Sequence, residues 1–106
     1  MKVVVQNGAR HWLSRRDAEA VIAQLPESWS NDVRKVALVR GENVSTYFHS
    51  QSRSLSLYSP SYEESEVDKP AAVSFLLHGL ANAIGRTLPD GLESRCRELV
   101  QPKVRQ

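Results

Sequence analysis

Apolar residues recur at helical spacing in three parts of the chain, and each part carries the end signals of a helix. The first helix is predicted over residues 15–25, after Ser14, which suits an N-cap and is followed three positions later by Asp17. The second is predicted over residues 70–85, and a short third helix follows a capping-box pattern near the C-terminus. The apolar positions are Ala18, Val21, Ile22 and Leu25, then Val73, Leu76, Leu77, Leu80, Ala81 and Ile84, and finally Leu92, Cys96, Leu99 and Val100.

Between the first two helices the pattern changes to that of strands. A continuous apolar run at residues 36–39 predicts a buried strand, and two alternating stretches at 44–49 and 53–59 predict a hairpin. Residues 2–5 also have strand composition, without a defined place in the sheet. The prediction is an α+β fold in which an about three-stranded sheet from residues 36–59 packs against the two main helices.

Composition and charge fit one ordinary globular domain over residues 1–106, with 41% apolar and 25% charged residues. The net charge of +2 is too small to indicate nucleic acid or an anionic membrane as a partner. No segment has the length and hydrophobicity of a signal peptide or a membrane span. Cys96 is the only cysteine, which excludes an internal disulfide and favours a cytoplasmic location.

The predicted helix at 70–85 is unusual because no charged residue stands between Lys69 and Arg86. We therefore predict that this helix is buried on both sides, including the side with Phe75, His78 and Asn82. The segment before it, residues 59–70, carries two prolines and five charged residues and predicts an exposed loop.

A hairpin strand, SRSLSLYSP, then a loop, then an uncharged helix with a central histidine resembles the core of small zincin-type metallopeptidases, whose helix carries HExxH. The corresponding pentapeptide is HGLAN, residues 78–82, and the resemblance covers residues 36–85, about half of the chain. It implies a zincin-like fold. It implies no working peptidase, because Gly79 stands at the position of the general-base glutamate and Asn82 at that of the second histidine.

Three interpretations of this motif follow. His78 and Asn82 are hydrogen-bonded polar residues of a packed helix, or the domain is a former peptidase that kept a protein-binding surface, or it is a divergent metal-dependent hydrolase. His78 is a weak candidate metal ligand, with Asp90 and Glu93 available by type as further ligands. The pattern favours no catalytic residue, cofactor or bound metal.

Other candidate residues carry weaker signals. His11 and His49 lack metal-site spacing relative to His78, and Cys96 fits a buried apolar position better than a nucleophile. Trp12 and Trp29 are candidate interface anchors, with core packing as the alternative. Basic residues alternate with acidic ones at 15–19 and 32–42, which predicts a mixed surface and leaves weak nucleic-acid binding only as an alternative function. The favoured function is a non-enzymatic binding or accessory module whose partner is another protein.

Overall fold

The computed structural model describes residues 1–6, 13–43, 45–59 and 69–100. Four strands and four helices follow one another along these segments. In chain order they are β1 (Lys2–Val5), α1 (Arg15–Ile22), α2 (Trp29–Asp32), β2 (Lys35–Arg40), β3 (Ser45–His49), β4 (Ser54–Ser59), α3 (Lys69–Ile84) and α4 (Leu92–Val100). The predicted α+β class and the packing of a small sheet against helices are confirmed.

The four strands form one mixed sheet in the order β1-β2-β4-β3. Strands β1, β2 and β4 are parallel, whereas β3 pairs antiparallel with β4 as the predicted hairpin. The predicted number of three strands was too low, because β1 pairs with β2 in the register Lys2 to Lys35. Parallel neighbours are joined by long crossovers, so no turn between them marks the pairing in the sequence.

The hydrophobic core lies between one face of the sheet and the helices. Alternate residues of the central strands point into it, including Val36 and Leu38 of β2 and Leu55 and Leu57 of β4, all at most 1% exposed. The apolar stripe of α3 covers these residues, and α1 and α4 complete the helical layer. The continuous apolar run of β2 therefore occupies the middle of the sheet, as a buried strand should.

The start of α1 is as predicted, and its end comes earlier. Ser14 Oγ accepts from the Asp17 backbone N–H at 3.0 Å, and the Asp17 carboxylate accepts from the Ser14 N–H at 3.2 Å. The helix stops at Ile22 with Ala23 as its C-cap, so the three residues predicted beyond Ile22 are not helical. The segment after it, for which no element was predicted, contains the one-turn helix α2.

The prediction that α3 is buried on both sides is wrong. Phe75 is 46% exposed, the His78 side chain is 60% exposed, and Asn82 is exposed as well. The opposite stripe, which includes Leu76, Leu77 and Leu80, is completely buried. The lack of charge on α3 therefore marks an exposed face of neutral side chains.

Several predictions fall on parts of the chain that the structure does not describe. They concern His11, Trp12 and the greater part of the predicted loop, residues 60–68. Within the described segments, none of the helices combines the length and the apolar character that crossing a bilayer requires.

Candidate functional site

The helix that carries HGLAN packs against α4, and this packing brings His78 next to Glu93. Nε2 of His78 lies 3.2 Å from Oε2 of Glu93, with side-chain exposures of 60% and 35%. From the sequence, Glu93 and Asp90 were the two carboxylates that could serve as ligands together with His78. The structure thus joins one imidazole and one carboxylate at an exposed helix–helix junction.

Glu93 is the centre of a small polar network between α3 and α4. A hydrogen bond from the Ser74 hydroxyl lowers the pKa of the Glu93 carboxyl, His78 and Arg97 lower it further, and slight burial opposes them. Arg97 Nη1 donates in turn to Ser74 Oγ at 3.3 Å. The carboxylate is thereby held in its charged form, and α4 is tied to α3 at two points.

Gly79 lies on the buried side of α3, where the helix passes closest to strand β3. A β-carbon at this position would lie 2.8 Å from Thr46 Cγ2 and 3.0 Å from Thr46 Oγ1 and Cβ. A side chain at position 79 thus requires Thr46, or the strand or helix that carries it, to shift. The close contact between α3 and β3 therefore favours glycine at this position.

Beside this contact a groove of about 240 Å³ opens between β3 and α3. Asn82 borders it from the exposed side of α3, one turn after His78. The other lining residues are apolar or neutral, namely Thr46, Phe48, Leu55, Gly79 and Ala83. Among the described residues, no charged side chain lines this groove.

The donor set around His78 does not fit the zinc ion that the zincin resemblance implies. Across residues 1–6, 13–43, 45–59 and 69–100, no three His, Cys, Asp or Glu side chains come together as metal ligands. His78 and Glu93 provide two donors, and an amide such as Asn82 is a poor zinc ligand. The described site is incomplete, and no hydrolytic step can be built on it.

The remaining candidates lie elsewhere. His49 points away from α3, on the far face of the sheet, where its Nε2 is hydrogen-bonded to Ser56 Oγ at 3.3 Å. Cys96 is fully buried, and that burial raises its pKa, which suits a packed residue rather than a nucleophile. Trp29 is 3% exposed within the core, so packing accounts for it and it offers no interface surface.

The groove between β3 and α3 was not predicted from the sequence. One signal was present, since an isolated glycine inside an otherwise helical pattern, here Gly79, often marks a close approach of two elements. Its partner Thr46 carried no signal of its own. No family model, curated protein or solved structure matches this chain.

Proposed function

We propose that this protein is a non-enzymatic binding module on a degenerate zincin-like scaffold, and that it holds an extended segment of another protein between β3 and α3. One observation carries the proposal: an uncharged groove of about 240 Å³ runs beside a strand at the edge of the sheet. Edge and groove together offer a partner backbone hydrogen bonds and a pocket for its side chains.

The edge contributes the hydrogen bonds. Strand β3 is the last in the sheet order, and among the described residues no strand pairs with its outer side. Backbone N–H and C=O groups on such an edge are a template for a further strand. With five residues, β3 is long enough to align a short extended segment.

The groove contributes selectivity. Because the groove lining is uncharged, a charged partner side chain that entered it would lose its contact with water and gain no ion pair. Charged side chains are therefore disfavoured in the groove. Phe48 provides apolar contact, and Asn82 provides an amide that donates and accepts hydrogen bonds. We therefore expect the bound segment to be extended, with an apolar or small neutral side chain facing the groove at every second position.

The scaffold assignment rests on the order of elements around HGLAN. Strand β4, which contains SLSLYS, precedes α3, and the motif lies in the second half of that helix beside a groove. A divergent metal-dependent hydrolase is the alternative, favoured by the His78–Glu93 pair. Elemental analysis of protein purified without chelators separates the two, because stoichiometric zinc supports the hydrolase. A cytoplasmic location is consistent with the buried single thiol of Cys96.

The test is selection of binders from a library of random peptides displayed on phage, followed by titration of a selected peptide into isotope-labelled protein. The expected result is that amide signals of β3 and of residues 79–83 shift. Asn82→Arg, which places a long cation at the groove, should weaken binding at least tenfold. The matched control Ser94→Arg adds the same charge to an exposed position of α4 and should leave the affinity unchanged.

Selected peptides that shift signals on another surface, or that bind both arginine variants equally, would contradict the proposal. A library that yields no binder to the folded protein would also count against it.

A further inference from the structure

The face of the sheet that points away from the helices has its own chemistry, and we infer that it binds single-stranded nucleic acid. We call it the open face. It comprises the residues that alternate with the core residues along all four strands. This inference is independent of the groove between β3 and α3, which lies on the opposite side of the sheet.

The strand register shows which residues share the open face. Lys2 pairs with Lys35, Lys35 with Ser54, and Ser54 with His49, so these four side chains form one row across the sheet. Neighbouring strands lie about 4.8 Å apart, which makes the row about 14 Å long. It begins with two adjacent lysines and ends with a histidine.

The next rows bring aromatic rings onto the same face. The second row is Val4, Ala37, Ser56 and Tyr47, and the third is Val39, Tyr58 and Ser45. The small residues at the centre of the open face are buried, at most 6% exposed, namely Ala37, Ser54 and Ser56. The groups that reach solvent lie around this centre, with Lys2 and Lys35 on one side and Tyr47, His49 and Tyr58 on the other. Tyr47 is 60% exposed, the highest value among the exposed large hydrophobic side chains, and Tyr58 is half-buried. Tyr47 and Tyr58 are diagonal neighbours, a relation that places their backbones about 7–8 Å apart.

The Tyr47 ring is held from one side. It packs edge-on against the His49 imidazole with a centroid distance of 4.7 Å and an interplanar angle of 64°. His49 is fixed in turn by its hydrogen bond to Ser56 Oγ at 3.3 Å. Because the His49 contact orients the ring while most of its surface stays in water, Tyr47 is preorganised for stacking on a planar group.

Charge selects the class of partner. None of the described residues on the open face is a carboxylate, whereas Lys2 and Lys35 lie side by side at one end. Glu42 follows the far end of β2, where with Tyr58 it borders a shallow depression of about 370 Å³. Glu42 therefore lies beside Tyr58, at the opposite end of β2 from Lys35.

An anionic partner with planar groups matches this arrangement. A second copy of the chain would bring no carboxylate from its own open face, and an acidic peptide would leave the exposed ring of Tyr47 unused. Single-stranded nucleic acid provides both phosphates for the lysines and unpaired bases for the tyrosines, with little dependence on sequence. Duplex nucleic acid keeps its bases stacked inside and is a poor match.

Fluorescence anisotropy with labelled oligodeoxythymidylate and oligouridylate of about 15 nucleotides tests the inference at low salt. Binding is expected for at least one of them, and their ratio shows whether DNA or RNA is preferred. Tyr47→Ala should weaken binding at least fivefold through lost stacking, whereas Tyr47→Phe should keep it. Lys35→Ala should reduce the slope of log affinity against log salt by about 0.7.

Two matched controls lie off the open face. Phe75→Ala removes an exposed aromatic ring from α3, and Arg86→Ala removes an exposed cation after α3, so both should leave binding unchanged. The inference is overturned if neither oligonucleotide binds, or if duplex DNA or polyglutamate binds as well as they do. It is also overturned if Tyr47→Ala has no more effect than Phe75→Ala.

Discussion

The contact between Gly79 and Thr46 predicts an unusual outcome for a glycine-to-alanine change in a helix. At an unhindered helical position, Gly→Ala stabilises by about 0.5–1 kcal/mol, because glycine loses more backbone entropy on folding. At position 79 the added methyl group would lie 2.8 Å from Thr46 Cγ2, and the resulting overpacking costs about 1–3 kcal/mol. We therefore expect Gly79→Ala to destabilise the protein by about 1 kcal/mol overall.

Thermal and urea denaturation followed by circular dichroism measure this change, which corresponds to a fall in Tm of about 4–8 °C. Thr46→Ala removes Cγ2 and Oγ1 from the contact, so Gly79→Ala should cost clearly less in that background, with a coupling of about 1 kcal/mol. Ser94→Ala, on the exposed side of α4, is the control for helix propensity and should be neutral or slightly stabilising. If Gly79→Ala raises Tm, and by the same amount with or without Thr46, helix and strand are not in tight contact.

Three further predictions concern α3 and its neighbour α4. Leu77→Asp puts an unpaired carboxylate at a fully buried position and should cost more than about 4 kcal/mol, whereas Leu99→Asp, at a 52% exposed position, should leave the circular dichroism spectrum and Tm nearly unchanged. Asn82→His adds a second imidazole one turn after His78, so zinc affinity measured against a chromophoric chelator should rise, and adding Glu93→Gln should lower it again; a folded variant without this gain would argue against the zincin-like scaffold. Since the pKa of Glu93 is lowered from its ordinary value of 4.5, this carboxylate stabilises the fold above that pH, and the contribution is lost as pH falls through the lowered pKa. The free energy of unfolding of wild type and Glu93→Gln should therefore differ by no more than about 1 kcal/mol near neutral pH and converge in acid, and a difference that persists in acid would refute the assignment.

Local signals predicted the elements well, because each depends on a few neighbouring residues. The N-cap at Ser14 and the hairpin of β3 and β4 follow from side chains that meet within a few positions of the chain. The helix α2 was missed because it is a single turn around Trp29, too short to show a period.

The candidate site was only partly accessible from sequence. HGLAN identified the right helix, and residue types named Glu93 as one of two carboxylates, yet nothing in the chain order chose between Glu93 and Asp90. The choice depends on how α4 crosses α3, which places Glu93 within 3.2 Å of His78. The groove was invisible to sequence analysis because its walls come from segments more than 20 residues apart in the chain.

By itself the sequence determined where most of the helices and strands form and which stripe of α3 is buried. Those properties follow from the spacing of apolar residues, which can be read within a short stretch of the chain. Only the tertiary structure decided that β1 joins the sheet, that the side of α3 with Phe75 is exposed, and that Gly79 lies in close contact with Thr46. The tertiary structure alone placed Lys2, Lys35, Tyr47 and Tyr58 on one face of the sheet. These residues belong to four different strands, and the register that brings them together cannot be read from their distances along the chain.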